Sequence, residues 1–258
     1  MPSTSDDLRT HPAQSRSLTI ACIQMEPRVG DMEGNIARSV AQIDRAAAEG
    51  AGLVVLPELT NSGYVFADRA EAFALAEELP DGPAMRAWSE RAARHGIHIA
   101  AGIAERDGPR LYNSSVLIGP EGHVGTFRKV HLWNEENLWF EPGDYGFPVF
   151  HTPIGRIAMA ICYDIWFPEA FRLAALQGAD IVCVPTNWVP IPGQIEGEKA
   201  MATILAMAAA HSNSICIACA QPHRHGTWPA LRGSEPDRQP YRLARRRPGQ
   251  PRRRRNRY

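Results

Sequence analysis

Four short segments hold the side chains that could do chemistry. The first is Ala-Ile-Cys-Tyr-Asp-Ile-Trp-Phe-Pro-Glu (160–169), where Cys162 follows an apolar run from Ile157 to Ile161 and precedes Pro168-Glu169. The run reads as a buried strand, and proline with an acidic neighbour suits the first turn of a helix. A thiol at that junction lies near unsatisfied backbone N–H groups, which favour its thiolate. A small core cysteine is the plain alternative. The second segment, Leu-Val-Val-Leu-Pro-Glu-Leu (53–59), closes an apolar strand at Pro57 and puts Glu58 just beyond it, where a cap or surface charge is the plain alternative. The third, Phe-Arg-Lys-Val-His-Leu (127–132), holds Lys129, one of two lysines in a chain with 26 arginines. That bias hints that a compact ammonium is wanted there, not a guanidinium fork. The fourth, Asn-Glu-Glu-Asn-Leu-Trp-Phe-Glu-Pro-Gly-Asp (134–144), is an acidic, aromatic loop soon after the lysine.

In this order, the segments resemble the nitrilase, or carbon–nitrogen hydrolase, superfamily. The resemblance runs from about Leu18 to Gln221. It implies a Glu-Lys-Cys triad at Glu58, Lys129 and Cys162. It also implies a second glutamate seven residues before the glycine of Pro-Gly-Asp, which is Glu136. The implied architecture is a four-layer α-β-β-α sandwich whose members usually dimerise through one helical layer.

Amide hydrolysis needs a nucleophile, a base, an acid for the departing amine and a positive site for the oxyanion. Glu58 suits base and then acid if burial raises its pKa towards neutrality. Cys162 would attack the carbonyl or nitrile carbon and form a thioester or thioimidate. Lys129 and, by family analogy, the backbone N–H of Tyr163 would hold the oxyanion, and Glu136 would orient Lys129 and the substrate amide. No metal or organic cofactor is required. Thr186-Asn187-Trp188 follows the strand after the nucleophile, where loops of open sheets commonly carry function. Asn187, Trp188 and Tyr64 are therefore candidate pocket walls, with ordinary packing as the alternative for the two aromatics. Asp164 and Glu169 read as turn and helix-start residues.

The chain's 258 residues and 44% apolar content can bury one large core, read as a single α/β domain over residues 18–221 after a flexible segment 1–17. The longest apolar helical stretch, Met201–Ala210, is shorter than the roughly 20 residues a bilayer span needs. Met1–Arg16 lacks the apolar centre of a signal peptide, so the expected compartment is the cytoplasm. Five cysteines fit reduced thiols, with Cys22, Cys183 and Cys216 expected in the core. Cys216 and Cys219 have C-x-x-C spacing, but a strand would point them to opposite faces.

Periodicity predicts strands at Leu18–Met25, Leu53–Leu56, Ile97–Ala104, Ser115–Ile118, His123–Arg128, within Phe150–Cys162 (two), Ile181–Val184 and Ser214–Ala218. Helices are predicted at Asp31–Gly50, from Gly82-Pro83 to His95, Pro168–Gln177 and Gly197–Ser212. The first should bury Ile36, Val40, Ile43 and Ala47; the second Met85, Trp88 and Ala92.

After Gln221 the composition changes. Residues 222–258 contain 12 Arg and 6 Pro among 37 positions and no Ile, Val, Met or Phe, and carry about +10 against −10 for the rest. The family normally continues here with further strands, which this segment cannot supply. Two readings compete: a natural basic tail that binds nucleic acid, or a shifted reading frame in a GC-rich gene. The frame shift is favoured, because prolines interrupt any basic helix, and such a chain is expected to be inactive or poorly soluble. The expected partners are a small amide, carbamoyl or nitrile substrate and a second copy of the chain, in a homodimer or higher homo-oligomer. Neither a membrane nor nucleic acid is expected. Cys-Tyr-Asp with Phe-Pro-Glu resembles amidase branches, whereas Phe-Glu-Pro-Gly-Asp (140–144) resembles carbamoylases. A carboxamide is thus the first choice of substrate, a carbamoyl compound the second and a nitrile the third. An Arg-tailed binding module is the non-enzymatic rival.

Overall fold

The computed structural model describes residues 17–189 and 199–222. The expectations for residues 1–16, for the tail from 223 onward and for a helix start at Gly197 lie outside them.

Two sheets form the centre. One joins β1 (Ile20–Cys22), β2 (Leu53–Val55), β3 (His98–Asp107), β4 (Arg110–Gly119) and β5 (Gly122–Arg128) in that order, parallel for the first three strands and antiparallel thereafter. The other joins β6 (Val149–Thr152), β7 (Gly155–Met159), β8 (Ile181–Pro185) and β9 (Cys216–Ala220), with one antiparallel pair and two parallel ones. Helices α1 (Met32–Ala48) and α3 (Pro83–His95) cover the first sheet, with Ile43, Met85 and Trp88 packed on Val54, Ile99 and Val116. Leu53, Val55, Phe127, Ile157 and Cys183 fill the space between the sheets. Helices α5 (Pro168–Leu176) and α6 (Met201–Asn213) cover the second sheet through Phe171, Ala174 and Ala202. The result is the expected α-β-β-α sandwich. Two short helices, α2 (Arg69–Leu75) and α4 (Glu136–Trp139), were not predicted.

Apolar pattern and structure also part company within the predicted elements. β1 is three residues long, not eight, although Ile23 N–H still reaches the Val55 carbonyl. On α1 the fully buried stripe is Asn35, Ser39, Ile43 and Ala46, one residue off the predicted face, while Ile36, Val40 and Ala47 pack at its margin. Polar groups occupy that stripe because each has a partner. Asn35 Nδ2 donates to the carbonyls of Arg28 and Asn61, and Ser39 Oγ accepts from Trp88 Nε1. Finally, Cys183 is buried as predicted, but Cys22 and Cys216 are exposed. They lie on β1 and β9, which pair on one side only among the described residues, so no neighbouring strand covers them.

Candidate active site

Glu58 is set by the end of β2. Its N–H donates across to the Thr186 carbonyl at 3.3 Å, and Thr60 Oγ1 donates to the Pro57 carbonyl at 2.7 Å. Gly102 of β3 lies against this turn so closely that a β-carbon there would sit 2.5 Å from Pro57 O and 2.6 Å from Glu58 Cα. Only glycine lets β3 approach the glutamate in this way.

Lys129 directly follows β5. Its N–H donates to the Asn113 carbonyl and its own carbonyl accepts from Gly143 N–H, both at 2.8 Å. Its neighbour Arg128 ties the following loop down. Buried beneath Tyr112 and Tyr145, with ring centroids 3.7 and 4.4 Å from its guanidinium carbon, it pairs with Glu105, Asp107 and Asp144. Gly143 passes so close that a β-carbon would overlap the Arg128 carbonyl. This clamp fixes the loop that delivers Glu136.

Cys162 opens a short 3₁₀ helix (Cys162–Trp166) with φ of +42°, a strained value for a non-glycine residue. Asp164 braces the turn. Its Oδ2 accepts from Ile161 N–H at 2.9 Å, and its Oδ1 from the backbone N–H and Nδ1 of His131 at 2.9 and 2.8 Å. The His131 ring stacks on Phe167 with centroids 3.7 Å apart. The strained turn is thereby bolted to the segment carrying the lysine. The expectation that Asp164 is a turn residue holds.

The structure joins Glu58, Lys129 and Glu136 directly and places Cys162 within their electrostatic reach. Lys129 Nζ donates to Glu58 Oε1 and to Glu136 Oε1, each at 2.7 Å, and all three side chains are buried. Glu136 is fully engaged: Tyr64 Oη donates to its Oε1 at 2.5 Å and Trp133 N–H to its Oε2 at 3.0 Å. Glu58 Oε1 also accepts from Asn113 Nδ2 at 2.8 Å, whereas its Oε2 has no partner among the described residues. Burial raises the Glu58 carboxyl above its ordinary range, against the lowering pull of Lys129. Burial would lower the Lys129 ammonium, but Glu136, Glu58 and Cys162 outweigh it and hold its pKa above normal.

Cys162 departs from expectation. Burial first, then Glu58 and Glu136, push its thiol well above the usual range, with Lys129 and the Asn187 backbone N–H opposing. The turn's N–H groups do not lower the thiol against these effects.

Three cavities meet at Tyr64. One of about 310 Å³ contains Cys162 and is walled by Trp133, Tyr163, Trp166, Asn187 and Trp188. A second of about 380 Å³ runs past Glu135 and Glu136. The third, about 500 Å³, borders Glu26, Glu58 and Asn187. The three predicted wall residues (Tyr64, Asn187 and Trp188) line the Cys162 cavity, as does Tyr163, expected there for its backbone N–H. Sequence reasoning missed Asn113, Trp133 and Trp166. Asn113 opens a polar run, Asn113-Ser114-Ser115, and lies outside the strand predicted at Ser115–Ile118.

The arrangement has relatives. The family model for carbon-nitrogen hydrolases matches residues 19–232. A curated nitrilase of Pyrococcus abyssi is 42% identical over 170 residues, covering 66% of this chain and 65% of its own length. An N-carbamoylputrescine amidase of Solanum lycopersicum is 34% identical over 180 residues, covering 67% and 59%. The match thus spans less than two thirds of each relative's length. Among solved structures, a mutant of the amidase from Nesterenkonia sp. AN1, in which acrylamide has added to the active-site cysteine, superposes with a TM-score of 0.67. It is 27% identical and covers 80% of this chain and 79% of its own.

Proposed function

Because the chain belongs to the carbon-nitrogen hydrolase family, we propose that it cleaves the C–N bond of a small carboxamide through a thioester on Cys162. The observation that carries this reading is the buried Glu58–Lys129–Glu136 cluster beside the Cys162 cavity, with one oxygen of Glu58 unengaged among the described residues.

In this reading Glu58 Oε2 takes the thiol proton as sulfur attacks the carbonyl carbon. Lys129 spends two of its three N–H bonds on Glu58 and Glu136; the third, with Tyr163 N–H, meets the oxyanion. Glu58 returns its proton to the departing nitrogen, and ammonia leaves. A water then enters, gives its proton to Glu58 and attacks the thioester carbon. Collapse releases the carboxylic acid and restores the thiol. Glu136 has both oxygens occupied by protein donors, so its role is to aim Lys129 and Tyr64.

A carbamoyl compound is the second reading, because its carbonyl presents the same electrophile, and a nitrile is the third. Ammonia release from an aliphatic amide, an N-carbamoyl amine and a nitrile separates the three. The chain is further expected to self-associate. Leu173, Leu176, Ile204 and Met207 on α5 and α6 are exposed, Leu176 by 75% and Met207 by 54%, an apolar face suited to a second copy.

A further inference from the structure

Asn113 of β4 holds both partners of a buried ion pair. Its carbonyl accepts from Lys129 N–H, and its Nδ2 donates to Glu58 Oε1, each at 2.8 Å. The residue is fully buried. It shares a strand face with Ser115 and Leu117, and that face packs towards the second sheet. Ser115 Oγ donates to Met159 Sδ at 3.1 Å, and Leu117 lies in the core between the sheets. An apolar side chain would suit such a position. Asn113 instead presents an amide there, and that amide donates to Glu58.

The bond decides between two oxygens. A carboxylate accepts through both, but on Glu58 the Lys129 ammonium and the Asn113 amide converge on Oε1, at 2.7 and 2.8 Å. Oε2 has no partner among the described residues. Lys129 alone could follow either oxygen, because its compact ammonium has rotatable donors on a flexible stem. The amide is fixed to a strand and cannot follow. Two donors on Oε1 keep the charge there, so an arriving proton goes to Oε2. We propose that Asn113 is a positioning residue for the base: it holds Glu58 Oε1 on Lys129 and so reserves Oε2 for the thiol proton. This inference rests on the hydrolase reading above and deepens it. Among the described residues, the titratable groups around Glu58 are Lys129, Glu136, Cys162 and Tyr64, with Glu26 on the same cavity. Asn113 is uncharged, so removing its amide alters none of them. What is lost is a hydrogen bond that lowers the Glu58 pKa, and the carboxyl must then titrate higher.

The test titrates Glu58 in two ways in the full chain. One is the acid limb of kcat/KM for ammonia release from a primary carboxamide. The other, without substrate, is the infrared carboxyl band that disappears in Glu58→Gln. Asn113→Leu keeps the bulk and loses the donor. It should move both titrations upward by about one pH unit, the scale of one hydrogen bond to a charged group. At a pH on the limb, kcat/KM then falls about tenfold. Asn113→Ser, whose hydroxyl falls short of Oε1, should do the same. Ser115→Ala, two residues along the same face, should leave both titrations in place. The position of a titration does not depend on how much of a variant folds. Unmoved titrations in Asn113→Leu and Asn113→Ser, or an equal shift in Ser115→Ala, overturn the inference and leave the hydrolase reading intact. Absence of ammonia from the unaltered chain counts against that reading instead, and the infrared band then decides the inference by itself.

Discussion

At the scale of single residues, the account turns on where two protons rest. Glu58 sits above the ordinary carboxyl range because it is buried, and the Cys162 thiol sits high for the same reason. In the proposed mechanism the competent state is carboxylate plus thiol. Lowering the pH protonates Glu58 and removes the base, so kcat/KM should fall through an ionisation above the usual carboxylate value. Raising it through the ordinary thiol range should change little, and a pH–rate profile checks both limbs. Lys129 also carries stability. Lys129→Ala leaves Glu58 and Glu136 facing each other unpaired in the interior, and should cost about 3–5 kcal/mol in a denaturant titration. A Glu58→Gln/Lys129→Ala double variant should recover part of that loss. Glu58, Lys129 and Cys162 stood out in the sequence because three motifs in one order resemble those of the family; the end of an apolar run alone left each a plain alternative. Asn113 was not, since its value lies in a hydrogen bond to a residue 55 positions away.

Elements set the precision of the site. β4 was predicted at Ser115–Ile118 but spans Arg110–Gly119, because Asn113, Ser114 and Ser115 break the apolar pattern while remaining buried. Two of these polar side chains reach functional or structural acids: Asn113 reaches Glu58 and Ser114 reaches Glu105. The strand was hidden by the residues that make it useful. Gly102 of β3 offers a direct test. Gly102→Ala must push Glu58 aside to relieve a 2.6 Å contact, and a shift near 1 Å should cost about 10²-fold in kcat. The Asp164 brace is the second test. Asp164→Ala strips three donors of their acceptor and should destabilise the fold by about 3 kcal/mol. It should also slow iodoacetamide labelling of Cys162, as the strained turn relaxes.

For the whole molecule, the layered order was legible in the alternation of strand-like and helix-like runs, whereas the stacking of two sheets came from family resemblance. Cys22 and Cys216 were misplaced because apolar neighbours show that a strand is buried, not which of its ends lies at a rim. The exposed face of α5 and α6 belongs to this scale. Leu176→Glu with Met207→Glu should shift the chain to a smaller species in sedimentation, and an unchanged mass would exclude that face as the contact.

Rapid acid quenching of the chain during turnover of a primary carboxamide, followed by peptide mass mapping, addresses the covalent step itself. The acyl mass is predicted on the peptide bearing Cys162, with ammonia production lost in Cys162→Ala. Acylation of any other residue, or ammonia released at an undiminished rate by Cys162→Ala, would contradict the mechanism.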